Sequence, residues 1–381
     1  MLLPEYLTSN EVVLLFFEFY LGHNFSLYIK ETLSNRSTYT HCAMTNPAIT
    51  TQARFFQSLK SAIPPYASMV DEIAETLQVS VDSAYRRIRG EKLLDFDELK
   101  ILCERFNISL DKFFSLESNA IMFQGRLNTY QEDAFKNWLE DVLAQLNLVN
   151  SFSHRHVYFL VKDMPPFHHY YHPLLAGFKF FFWMKSILYY ESLKNEQFTL
   201  EKNYFAPFQE ITSKILKIYN KVPTSEIWNE EGLNTTLRQI EVYHEMGIIP
   251  NPTTTIKLYH CLLEVIDHLE KMAETGKKSM LGQSPAEDSA DYRLYLNEIV
   301  LGDNTFMAEI GETKITYLNH SVLYFVGSTD QRFNEGMFRN LNNLMKKSTL
   351  ISGTGEKDRK QFFNRLRKKV QSKIMAVEAE T

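Results

Sequence analysis

Residues 69–90 read MVDEIAETLQVSVDSAYRRIRG, and their spacing decides how the N-terminal part of the chain is read. Ile73, Ala74 and Leu77 fall on one face of a short helix, with a small residue where two helices must cross closely. Val79 seats a turn. Ser80 is a good N-cap for the next helix, because its hydroxyl can accept from the first free backbone N–H groups. On that second helix Val81, Ala84 and Ile88 lie at i, i+3 and i+7 and are expected to face the core. Asp82, Ser83, Tyr85, Arg86 and Arg89 are then expected to point outward. Gly90 ends the helix by allowing a left-handed backbone.

Working outward, the whole stretch from Gln52 to Phe114 is dense in short helical patterns. Phe55, Phe56, Leu59 and Ile63 mark one helix, closed by Pro64-Pro65. Asp95 to Phe106 and Leu110 to Phe114 follow the central pair. Five short helices in roughly 60 residues predict a compact all-α module.

This stretch resembles the phage-repressor and Cro type of helix-turn-helix, the XRE family, over about residues 52–114 only. The resemblance runs on through LLDFDELKILCERFNISLDKFF, with apolar Leu99, Leu102 and Cys103 in the helix after the reading helix. It implies that Val81 to Arg89 enters the major groove and that Met69 to Gln78 lies across the DNA backbone. The residues it places at DNA are Ser80, Asp82, Ser83, Tyr85, Arg86, Arg87, Arg89 and Lys92. Arginine can grip guanine or phosphate with two parallel hydrogen bonds. The chain departs from the family pattern at three places. Val70 stands where Gln is common, Gln78 where Gly is common in the turn, and Arg87 where an apolar residue is usual.

Composition bounds the alternatives. Of 381 residues, 44% are hydrophobic and 23% charged, enough for a full core and two or three domains. Net charge is −5, so any nucleic-acid contact must come from a local basic surface. Three widely spaced cysteines, Cys42, Cys103 and Cys261, fit a reduced, cytoplasmic setting better than a disulfide framework. The apolar runs at 12–21 and 173–190 are too short or too charged to read as membrane spans. Residues 1–43 look unlike the rest. They are expected to be an upstream extension of the reading frame, with Met44 as initiator, or else an N-terminal arm.

The expected architecture is mainly α. It comprises the helix-turn-helix module (44–120), a central helical domain (125–276) and a small C-terminal α/β cap (290–376) of antiparallel meander plus helices. Thr275 to Asp288 reads as the linker before that cap. Unequal helix lengths give no support for a repeat array.

Other constellations are weaker. His168 and His172 stand at i, i+4, a spacing zinc uses, but Pro173 adjoins them and there is no H-E-x-x-H. They are read as aromatic-rich packing with exposed histidines. The run from Phe178 through Trp183 to Tyr190 is read as a buried helix or dimer surface, with an apolar effector pocket as the functional alternative. Residues 356–373 carry eight Lys/Arg against two acidic residues. They are read as an amphipathic terminus docking on the meander, or as extra phosphate contacts. SGTGEK at 352–357 lacks phosphate-loop spacing, and no motif reaches catalytic grade. No metal or cofactor is expected. The expected function is a sequence-specific DNA-binding transcriptional regulator, acting as a homodimer on double-stranded DNA. The rivals are a helical protein-interaction adaptor and a metabolite-sensing protein in which the helix pair is only a scaffold.

Overall fold

A computed structural model describes residues 50–63, 67–106, 108–114, 121–125, 132–298 and 304–380. The expected extension or arm at 1–43 lies outside the described residues. The chain divides after Ala120 into two compact units.

In the first unit five helices follow the apolar spacing: α1 (Thr51–Ala62), α2 (Met69–Leu77), α3 (Val81–Ile88), α4 (Phe96–Phe106) and α5 (Leu110–Phe114). Hydroxyl or carboxyl caps start four of them. Thr50 Oγ1 accepts from Ala53 N at 3.2 Å, Ser68 Oγ from Asp71 N at 3.5 Å and Ser80 Oγ from Ser83 N at 3.2 Å. Asp95 Oδ1 accepts from Glu98 N at 2.8 Å. Phe55, Phe56, Leu59, Ile73, Ala74, Ala84 and Leu102 form the core. Gln78 closes α2 in the left-handed region, φ +53°, a position that Gly would take without steric cost.

The second unit is built on one eight-stranded mixed sheet, in the order β1-β7-β6-β5-β2-β3-β4-β8. Its strands are β1 (Gln124–Gly125), β2 (Arg155–Leu160), β3 (Thr224–Trp228), β4 (Tyr292–Leu296), β5 (Thr305–Ile310), β6 (Thr313–Asn319), β7 (Phe325–Ser328) and β8 (Thr349–Leu350). Its helices are α6 (Ala134–Ser151), α7 (Pro166–His169), α8 (Pro173–Phe182), α9 (Gln209–Tyr219), α10 (Asn234–Glu245), α11 (Pro252–Thr275), α12 (Gln331–Lys346) and α13 (Glu356–Ala379). β2, β3 and β4 run parallel, joined by helical crossovers; the remaining pairings are antiparallel.

This overturns the mainly α architecture with a separate C-terminal cap. The meander β5-β6-β7 exists, but it pairs through β5 with β2 of the middle region. Tyr292–Leu296 is no part of it and runs parallel to β3. One sheet therefore unites the segments read as two domains. The supposed linker is part of the same body: Lys278 is fully buried, its Nζ donating to Tyr219 O at 2.9 Å and Val222 O at 2.8 Å.

α13 buries Phe362, Leu366, Val370 and Ile374 along one stripe. It docks on α11 and α10 rather than on the meander. Arg367 Nε binds Asp267 at 2.7 Å, its Nη2 pairs with Glu270, and Lys373 pairs with Glu241. Arg359 is buried and caps the carbonyls of Ile351 and Gly353, both at 3.0 Å. Much of the basic run is thus spent on intramolecular contacts. Among the described residues no helix is long and apolar enough to cross a membrane.

Candidate nucleic-acid interface

α3 is only eight residues long, and its two sides differ sharply. Ala84 and Arg87 are buried, and Ile88 packs partly buried against the core. Tyr85, Arg86 and Arg89 stand exposed along the other side, with Asp82 beside them at the N-terminal end. Ser80 is exposed but engaged as the cap.

Two expected positions are corrected. Val81 is 49% exposed rather than a core residue. Arg87 is only 1% exposed and is not available to DNA. It occupies the place an apolar residue would take. Its Nε donates to Glu98 Oε2 at 2.9 Å while Nη2 donates to Glu98 Oε1. Its Nη1 reaches back to Ser83 O at 3.0 Å and Ser83 Oγ at 2.6 Å. Ser83 is accordingly half-buried and its hydroxyl is already committed. The hydrogen bond raises the Arg87 pKa and lowers that of Glu98, so both stay charged.

A second clamp comes from α1. Gln52 Nε2 donates to Arg87 O and Lys92 O, both at 2.8 Å, and its Oε1 accepts from Leu94 N at 3.0 Å. It pins the chain that leaves α3. Lys92 Nζ lies 3.7 Å from Glu98 Oε1, and its side chain is half exposed. Neither Gln52 nor Glu98 could be found from the sequence, since each acts across the fold on a residue far along the chain. Glu91 stands two residues after Arg89, and that reversal of charge is the signal by which the sequence could have pointed to it.

The second unit holds a different constellation. Glu226, central in β3, is fully buried. His168 Nε2 lies 3.0 Å from both its oxygens. Tyr219 Oη donates to Oε1 at 2.9 Å, Trp228 Nε1 to Oε2 at 2.7 Å and Tyr292 Oη to Oε2 at 3.2 Å. Burial alone would raise the Glu226 pKa; the charge and hydrogen bond of His168, with the Trp228 hydrogen bond and the Lys278 charge, together outweigh it and hold the carboxyl below its ordinary value. His168 and His169 are buried, not exposed as expected, and His168 and His172 belong to different elements, α7 and the cap of α8. Among the described residues no group of three His, Cys, Asp or Glu side chains could hold a metal ion. The aromatic run packs into the core through Phe178, Phe180, Phe181 and Trp183 rather than lining a pocket. A cavity of about 460 Å³ lies instead beside the end of β4, with a polar lining that includes Asn297, Lys347, Asp358 and Arg365.

Burial holds the His156 and His268 pKa values down at about 4. Unfolded, each would titrate near its ordinary 6.5. Between those values the folded unit binds fewer protons than the unfolded chain. The resulting stability is present above 6.5 and lost as pH falls toward 4. Glu226 acts in the same sense at lower pH, because its folded pKa is lowered. For nearly fully buried His268 the loss approaches about 3 kcal/mol. All three tryptophans, Trp138, Trp183 and Trp228, lie in this unit. Their fluorescence should show a melting temperature that drops steadily from pH 7 to 4.5; a flat profile would contradict the assignment.

No protein-family model, curated protein or solved structure matches this chain.

Proposed function

We propose that this chain is a sequence-specific DNA-binding regulator that inserts α3 into the major groove. The observation that carries the reading is the two-sided α3. Arg86, Arg89 and Tyr85 face outward from a capped helix whose inner side is locked by Ala84, Arg87 and Gln52. A helix of this kind is about 10–12 Å across with its side chains, and the major groove is about 12 Å wide. α2 would lie across the backbone. Arg86 and Arg89 are the base and phosphate contacts, Tyr85 and Val81 the apolar ones, and Asp82 an acceptor for cytosine. One short helix supplies few base contacts, so the protein would bind paired half-sites as a homodimer. The second unit is the candidate source of dimerisation or signal input.

The test is selection of a site from random duplex by the full chain, followed by binding at fixed salt. Arg86→Ala with Arg89→Ala should weaken binding to that site by about 100-fold or more. Hydrogen exchange of residues 69–106 should stay as in the parent. Undiminished affinity at equal salt would remove the reading.

One observation favours a second reading, a protein-interaction adaptor. Residues 50–114 carry nine Lys/Arg against ten Asp/Glu, and Leu93 and Phe96 beside α3 are 75% and 91% exposed. An adaptor would show no salt-dependent DNA affinity, and loss of Leu93 and Phe96 would release its protein partner.

A further inference from the structure

Four cations cluster around the C-terminal end of α3, and two carboxylates take up all of them. Glu98 holds Arg87 and Lys92. Glu91 holds the other two. Its Oε1 lies 3.2 Å from Arg89 Nε, and its Oε2 lies 3.4 Å from Arg89 Nη2 and 3.9 Å from Arg86 Nε. The backbone puts Glu91 there. Gly90 turns left-handed at φ +77°, and Glu91 N donates to Arg86 O at 2.8 Å, folding the chain back over the helix end. Arg86, Arg89 and Glu91 each remain about half exposed, so all three stand where DNA would approach.

We propose that Glu91 is a specificity-determining residue of the DNA-reading face, holding Arg86 and Arg89 back from the phosphates of arbitrary duplex. The inference rests on the DNA-binding reading above. Non-specific binding comes from cations releasing counterions at phosphates. A carboxylate at the same place competes for the guanidiniums and repels the phosphates. Reading guanine is affected less. That contact is made to neutral acceptors, and Glu91 engages Arg86 only at Nε, which leaves its Nη1 and Nη2 edge for O6 and N7. The device raises the ratio of correct to incorrect binding by penalising the incorrect complex.

The experiment compares the full-length parent with Glu91→Gln, on the selected site and on random-sequence duplex, across a salt series. Glu91→Gln should bind random duplex roughly 3–10-fold tighter, with a log-affinity against log-salt slope steeper by about one. It should gain less on the selected site, so that discrimination falls. Unchanged random-duplex affinity overturns the proposal, as does a parallel loss on both DNAs, which would make Glu91 a residue that merely orients the arginines. Failure of the underlying reading looks different: neither protein would bind any duplex in a salt-dependent way, and removing Arg86 and Arg89 would change nothing.

Discussion

Arg87→Ala is expected to abolish DNA binding by loosening the N-terminal module, not by removing a contact to DNA. Arg87 is buried, donates to both oxygens of Glu98 and reaches Ser83 through its remaining nitrogen. Its loss leaves Glu98 without its main partner and opens a void between α3 and α4. Breaking a buried pair on one side costs about 3–5 kcal/mol, and the residual solvent access of Glu98, whose side chain is 16% exposed, favours the lower figure. A five-helix module of this size has only a few kcal/mol to spare. Hydrogen exchange in the full chain should therefore show lost protection across 69–106 in Arg87→Ala, while Arg86→Ala keeps it. The two arginines are neighbours in sequence and would look alike in a binding assay alone. If Arg87→Ala keeps parental protection and still loses DNA binding, Arg87 contacts DNA directly and its burial in the free protein is not the bound state.

Glu226→Ala should unfold the second unit more readily than any surface change. The carboxylate accepts from Tyr219, Trp228 and Tyr292 and faces His168. Removing it strands three buried donors and an imidazole at once. Each orphaned donor costs about 1–3 kcal/mol, so a total of about 3–5 kcal/mol is a conservative expectation. For a unit of this size that lowers the melting temperature by roughly 10 °C. Glu226→Gln should be milder, since the amide keeps the shape and one acceptor. Trp228 donates directly to Glu226, so tryptophan fluorescence should change in the folded state as well. A shift under a few degrees for Glu226→Ala would mean that water replaces the carboxylate and the network is not structural.

The sequence by itself determined the helices of the first unit and the face that α3 turns inward at Ala84, because apolar spacing, hydroxyl caps and Gly90 are local signals. It determined the C-terminal meander, because the Gly311-Glu312 turn between β5 and β6 is a short-range feature. β3 was invisible for a physical reason. TSEIW is buried on both faces, so it has neither polar alternation nor a continuous apolar run, and its Ser225 and Glu226 are tolerated because partners far along the chain, His156 for the one and His168, Tyr219 and Tyr292 for the other, satisfy them. Arg87 misled for the same reason: an arginine reads as exposed until Glu98 and Ser83 are brought around it. Tertiary structure alone decided that one sheet joins the middle and the C-terminal part, since parallel pairing of β2, β3 and β4 links residues 67 and 68 positions apart (Val157 with Thr224, Thr224 with Tyr292), with no trace in any local pattern.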